Sequence, residues 1–148
     1  MEIKIYTDGA CVGNPGPGGW AAIILYDGKK KELFGGEKLT TNNRMELTAA
    51  IEAINYCAKE EGSQPSLKQI QIYTDSTYVK EGITVWINSW EKNNWKTADK
   101  KNVKNVDLWK KLKELTRFNQ VEWNWIKGHS EDPMNDLADK IAKKAVPT

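Results

Sequence analysis

Ile5-Tyr6-Thr7-Asp8 recurs as Ile72-Tyr73-Thr74-Asp75, each copy closing a short β-branched run and each followed by a turn-forming residue. Both copies read as strands that end in a carboxylate. Two β segments separated by a long helical stretch usually lie parallel, which would bring Asp8 and Asp75 out side by side at the carboxyl edge of one sheet. Open α/β sheets build their sites at that edge. Two carboxylates about 4 Å apart repel by roughly 4 kcal/mol at an effective dielectric near 20, so such a pair must protonate, spread apart or bind a cation.

Outward from these strands, residues 2–7 alternate, 19–26 form a second apolar run, Asp27-Gly28 is a hairpin signal and 31–36 can pair back. Three antiparallel strands are expected. From Asn42 the period changes: Leu47, Ile51, Ile54 and Ala58 mark one helical face until Gly62 and Pro65, with Asn42 or Asn43 as the cap. A helical pattern resumes through Val79, Ile83, Trp86, Ile87 and Trp90, with a kink possible at Gly82, and dissolves into a polar protrusion over 93–104. Asn105 can cap a further helix, residues 121–126 read as a strand and 135–145 as a last helix. The predicted order βββ-α-β-α-α-β-α gives an α/β fold: a mixed five-stranded sheet, three antiparallel strands then two parallel, with helices on both faces.

The 148 residues, 39% hydrophobic, suit a single domain over 1–148. With no apolar run near 18 residues and no leader-like pattern at Met1, the expectation is a cytoplasmic protein with no membrane partner, monomeric by default. Cys11 and Cys57 lack CxxC spacing, and His129 is the only histidine, which excludes multi-histidine metal centres. A metal here would rest on carboxylate oxygens, favouring a hard cation such as Mg²⁺ or Mn²⁺. The net charge of +2 conceals an uneven distribution: nine lysines stand between Lys80 and Lys113 against Glu81, Glu91, Asp99 and Asp107.

Glu46 shares a helical stripe with Ala50, Ala53 and Cys57. Alone it suits a first-turn acid favouring the helix dipole; beside two strand-end aspartates it suits a third metal ligand. Asp139 flanks the apolar face of the last helix, with Asp136 competing for any role. His129 sits on a Gly128–Pro133 connection, where solvent exposure or proton transfer beside a metal site are the two readings. The loop Cys11–Gly19 has neither a Gly-Lys-Ser/Thr nor a GxGxxG pattern and runs into a strand, which argues against a phosphate cradle. Trp86, Trp90 and Trp95 interleave with the lysines, as core packing or as a surface that stacks on nucleic acid.

Together these stretches resemble the type 1 ribonuclease H family from Ile3 to about Ala145. The resemblance rests on YTDGACVGNPGPGGW (6–20), TNNRMEL (41–47), YTDSTYV (73–79), KTADKKNVKNVDLW (96–109), WIKGH (125–129) and NDLAD (135–139), in the family's order. It implies an endonuclease that hydrolyses the RNA strand of RNA/DNA hybrids, giving 5′-phosphate and 3′-hydroxyl ends. Asp8, Glu46, Asp75 and Asp139 would hold two Mg²⁺ ions, with Mn²⁺ as a substitute, and His129 would assist proton transfer or product release. Cys11, Asn14, Asn42 and Asn43 would contact the RNA minor groove, where 2′-hydroxyls are displayed. The DNA strand would run over Tyr78, Trp86 and Trp90, with Thr41 and Asn105 holding one of its phosphates. Lys96, Lys100, Lys101 and Lys104 match the basic protrusion of some members, which implies hybrid binding without a helper domain. Thr77 and Leu39 depart from longer or basic residues in better-known members. A non-catalytic hybrid-binding module and a DNA-acting nuclease or integrase core are the competing readings; the first has no need of four mutually repelling carboxylates, the second none of 2′-hydroxyl readout.

Overall fold

A computed structural model describes residues 2–60, 69–118, 120–127 and 132–148. Strands β1 (Glu2–Cys11), β2 (Gly16–Tyr26) and β3 (Lys29–Thr40) form an antiparallel meander. Asp27 and Gly28 turn the second hairpin with φ of 50° and 74°, the left-handed pair that a two-residue turn requires. Helix α1 (Asn42–Glu60) crosses to β4 (Gln69–Thr74), and α2 (Thr77–Glu81), a π-helical turn (Gly82–Trp86) and α3 (Ile87–Lys92) follow. Helix α4 (Val106–Phe118), β5 (Gln120–Trp125) and α5 (Pro133–Ala145) complete the order. The sheet runs β3-β2-β1-β4-β5, with β1, β4 and β5 parallel, as the recurrent strand motif predicts. No helix among the described residues is long and apolar enough to cross a membrane.

Alternation along β1 decides which helix covers which face. Ile3, Ile5 and Thr7 are buried on one side, where they meet Leu47, Ile51 and Ile54 of α1. On this side a Cβ at Gly9 would lie 2.7 Å from the Glu46 amide nitrogen, so the missing side chain lets α1 close on β1. Helix α5 covers the other side of β1, β2 and β3 with Ala138 and Ala142. There a Cβ at Gly19 would stand 2.3 Å from the Ala142 carbonyl, and one at Gly36 2.3 Å from that of Ala145.

Three expectations are corrected in detail. Neither Asn42 nor Asn43 caps α1: the Thr41 hydroxyl accepts the Arg44 amide hydrogen at 3.2 Å, the Ser/Thr preference at a helix start. The Gly82 kink is a π turn, and Trp109 fills the space that a Gly82 side chain would take, with its Cη2 2.0 Å from an ideal Cβ. Asn105 precedes α4, but with φ of 59° its side chain leaves the helix end for other partners. The lysine protrusion carries structure of its own, a bridge between Lys96 and Asn102 continued by Thr97 N–H to the Lys101 carbonyl at 2.8 Å.

Candidate functional site

Strand register sets the site. Thr7 pairs with Thr74, so Asp8 and Asp75 leave adjacent parallel strands one residue later at the same edge. Glu46 reaches them from the first turns of α1, and oxygens of Asp8, Glu46 and Asp75 lie within 4.8 Å of one another. The Gly9 amide binds two of the three, donating to Asp8 Oδ1 at 2.9 Å and to Glu46 Oε1 at 3.0 Å. Glu46 is only 3% exposed, and its Oε2 finds no donor among the described residues. Burial, then repulsion from Asp75, pushes Asp8 up to about 7. Burial, then the charges of Asp8 and Asp75, holds Glu46 well above the usual carboxylate range.

Asp139 lines the same cleft of about 390 Å³, with Asn42, Asn43, Thr77 and Tyr78 on its rim. Its Oδ2 lies 3.0 Å from Lys143 Nζ, one turn along α5. Asp136, the other aspartate the sequence offered, is not among the residues that line this cleft. A crowded all-oxygen set in which Asp8 and Glu46 are buried, with one carboxylate oxygen lacking a donor among the described residues, fits a divalent hard cation.

Of the sequence-derived contact residues, Asn42, Asn43 and Tyr78 line this cleft. Asn14 Oδ1 accepts the Asn42 amide hydrogen at 2.8 Å, tying the glycine-rich loop to the start of α1. The Cys11 thiol points at the Gly16 and Thr40 carbonyls at 3.5 and 3.4 Å, and no disulfide joins it to Cys57. Tyr78, Trp86, Trp90 and Trp109 form one aromatic series with successive ring contacts of 5.3–6.0 Å. Trp86 is 38% exposed and Trp109 fully buried, so the series runs from surface to core. Lys96, Lys100, Lys101 and Lys104 are exposed on the protrusion, while Lys110 lies over the Trp95 ring at 5.6 Å. Leu39 is 76% exposed. His129 lies outside the described residues.

Sequence reading assigned no role to Arg44 or Lys143, counted Asp107 only as a charge, and placed Trp109 only on the apolar face of its helix, where it is indeed buried. Arg44 holds Asp107 through two hydrogen bonds of 3.1 and 2.9 Å and reaches Asn105 Oδ1 at 3.2 Å. Nothing in a linear sequence links positions 44, 105 and 107. The Asp139–Lys143 spacing of four was legible as a helical ion pair.

Comparison with known proteins agrees with this geometry. The RNase H family model matches residues 1–147. Ribonuclease H of Maricaulis maris is 54% identical over 144 residues, 97% of this chain and 93% of that one. Ribonuclease H of Cupriavidus metallidurans is 52% identical over 146 residues, 99% of this chain and 96% of that one. Among solved structures, LC9-RNase H1, a type 1 RNase H with the type 2 active-site motif, matches with a TM-score of 0.84 at 28% identity, over 98% of this chain and 72% of that one. LC11-RNase H1, solved with an RNA/DNA hybrid, shares the fold with a TM-score of 0.75 at 22% identity, over 97% of this chain and 96% of that one. With relatives matched along nearly their whole length and a carboxylate-lined sheet edge in the same fold, the chain belongs to the ribonuclease H family.

Proposed function

We propose that this ribonuclease H cleaves the RNA strand of RNA/DNA hybrids endonucleolytically with two Mg²⁺ ions, leaving 5′-phosphate and 3′-hydroxyl ends, with Mn²⁺ as a possible substitute. The observation that carries the reading is the trio Asp8, Glu46 and Asp75, with oxygens within 4.8 Å of one another and a buried Glu46 oxygen that finds no donor among the described residues. Such a cluster raises its own pKa values and destabilises the fold unless a cation compensates it. A non-catalytic module would gain nothing from keeping it.

Bound divalent cations supply Lewis-acid stabilisation of the entering and leaving oxygens in an in-line displacement. The protein's part is placement. Asp8 and Asp75 arrive on rigid parallel strands, the Gly9 amide fixes one oxygen each of Asp8 and Glu46, and Asp139 adds a fourth carboxylate from α5. His129 completes the catalytic set in this reading, moving a proton or easing product release.

Selectivity for RNA is assigned to Cys11, Asn14, Asn42 and Asn43 at the loop and the start of α1, where amide groups meet 2′-hydroxyls. The DNA strand is assigned to Tyr78, Trp86 and Trp90, one DNA phosphate to Thr41 and Asn105, and the flanking duplex to Lys96, Lys100, Lys101 and Lys104. We read residues 1–148 as one domain acting as a cytoplasmic monomer.

The test is cleavage of end-labelled RNA in RNA/DNA, RNA/RNA and DNA/DNA duplexes, with Mg²⁺ and with EDTA. Metal-dependent cutting confined to RNA within the hybrid is expected. Tight hybrid binding with no cutting in Mg²⁺ or Mn²⁺ would instead establish the binding module.

A further inference from the structure

Asn105 and Tyr78 are held between two groups that can only donate hydrogen bonds. At one end Arg44 Nη1 lies 3.2 Å from Asn105 Oδ1; at the other, Trp109 Nε1 lies 3.1 Å from the Tyr78 hydroxyl. A guanidinium and an indole N–H have no acceptor, so the direction of the whole series is forced. The Asn105 amide must turn its oxygen to Arg44, which leaves Nδ2 to donate to the Tyr78 oxygen at 3.1 Å. That nitrogen carries two hydrogens and spends one. The Tyr78 oxygen, accepting from both Asn105 and Trp109, keeps its own hydrogen to give away.

The anchoring is firm at both ends. Arg44 is locked to Asp107 by two hydrogen bonds of 2.9 and 3.1 Å, the fork matching the carboxylate. Trp109 is fully buried, with its ring wedged against Gly82. The left-handed backbone of Asn105, φ 59°, turns its side chain away from α4 toward this series. Arg44 also touches Thr41, whose hydroxyl accepts its amide hydrogen at 3.2 Å. The ion pair cancels the Asp107 charge, which would otherwise repel a nearby phosphate.

We propose that Arg44, a residue no comparison assigns, is a positioning residue that, opposite Trp109, orients Asn105 and Tyr78 so that each presents a spare hydrogen to one DNA-strand phosphate. This rests on the reading that Thr41 and Asn105 hold that phosphate. A neutral amide free to rotate would present its oxygen about half the time, and an oxygen repels a phosphate. The forced orientation therefore selects an anion without placing an uncompensated cation there.

The experiment uses the full chain and a hybrid whose DNA strand carries a single uncharged methylphosphonate, moved one phosphate at a time. Wild type is expected to show one position at which KM rises about 10-fold with kcat nearly unchanged, the loss of a charge-assisted contact. Asn105→Ala should abolish that sensitivity. Arg44→Met should raise KM on the unmodified hybrid by about 5- to 10-fold and make the modified and unmodified hybrids equivalent. Arg44→Lys should behave like Arg44→Met, because an ammonium cannot span Asp107 and Asn105 together. The Arg44–Asp107 pair is partly exposed, so these variants should fold, which urea denaturation checks.

The outcomes separate two failures. If wild type shows no sensitive position, or Asn105→Ala keeps one, the phosphate reading falls and the inference with it. If wild type and Asn105→Ala behave as stated but Arg44→Met keeps full sensitivity, the orienting role alone is overturned. Full rescue by Arg44→Lys would overturn the fork argument, since charge alone would then suffice.

Discussion

Asp8 carries the sharpest residue-level consequence. In the metal-free protein its carboxyl is held near 7 against an ordinary value of 3.8, so between those pH values the folded chain binds more protons than the unfolded one. The contribution of this carboxyl to stability is therefore fullest below pH 4 and is lost as pH rises from there through 7, by at most about 4 kcal/mol. Glu46 acts in the same direction. Urea titrations in EDTA at intervals from pH 4 to 8 should show this decline, and Asp8→Asn should flatten it. The same substitution should cut hybrid cleavage by at least about 10³-fold while leaving hybrid affinity within a few-fold, because it removes a ligand without touching the basic protrusion. A variant cleaving at the wild-type rate would refute the assignment. Metal binding opposes the proton effect: the rise in Tm on adding Mg²⁺ should be larger at pH 8 than at pH 6, since the cation competes with protons for the same oxygens. A pH-independent rise would place the cation elsewhere.

Elements explain why some of this was readable from the chain and some was not. The recurrent strand motif located Asp8 and Asp75, since parallel pairing follows from two strands joined through a helix. Helical period set Glu46 beside the apolar stripe of α1 and Asp139 on the flank of α5, but left each open to an ordinary helix-start role; the family resemblance grouped them with the aspartates. The pairing of Arg44 with Asp107 was invisible because it arises where α1 and α4 meet, and no local pattern encodes that meeting. Gly82 was read as a kink; its role is to make room for an indole boxed between Tyr78 and Trp90 at 5.3 Å from each. Gly82→Ala should therefore destabilise by about 2–3 kcal/mol, since overpacking a rigid aromatic cluster leaves nothing to yield. The denaturation midpoint measures it, and an unchanged midpoint would show that Trp109 can move. The cap of α1 was misplaced by one or two residues because three consecutive polar side chains compete for it, and only backbone geometry selects Thr41.

At the scale of the molecule, opposite charges are separated: carboxylates crowd the sheet edge while the lysines occupy the protrusion. Replacing Lys96, Lys100, Lys101 and Lys104 with Ala should raise KM for the hybrid about 10-fold at moderate salt and reduce the slope of log KM against log salt by roughly 2–4, with kcat little changed. Steady-state kinetics at several salt concentrations decide it, and an unaltered slope would remove the protrusion from the binding surface. The carboxylates come from positions as far apart as 8 and 139, so the centre is a product of complete folding. One member, Asp139, rides on α5, which rests on strands lacking side chains at Gly19 and Gly36, where an added Cβ would stand 2.3 Å from a helix carbonyl. Those two vacant positions act as a depth gauge. A methyl group at either would lift the last helix off the sheet and carry Asp139 away from Asp8, disabling chemistry from strands that bear no reactive group.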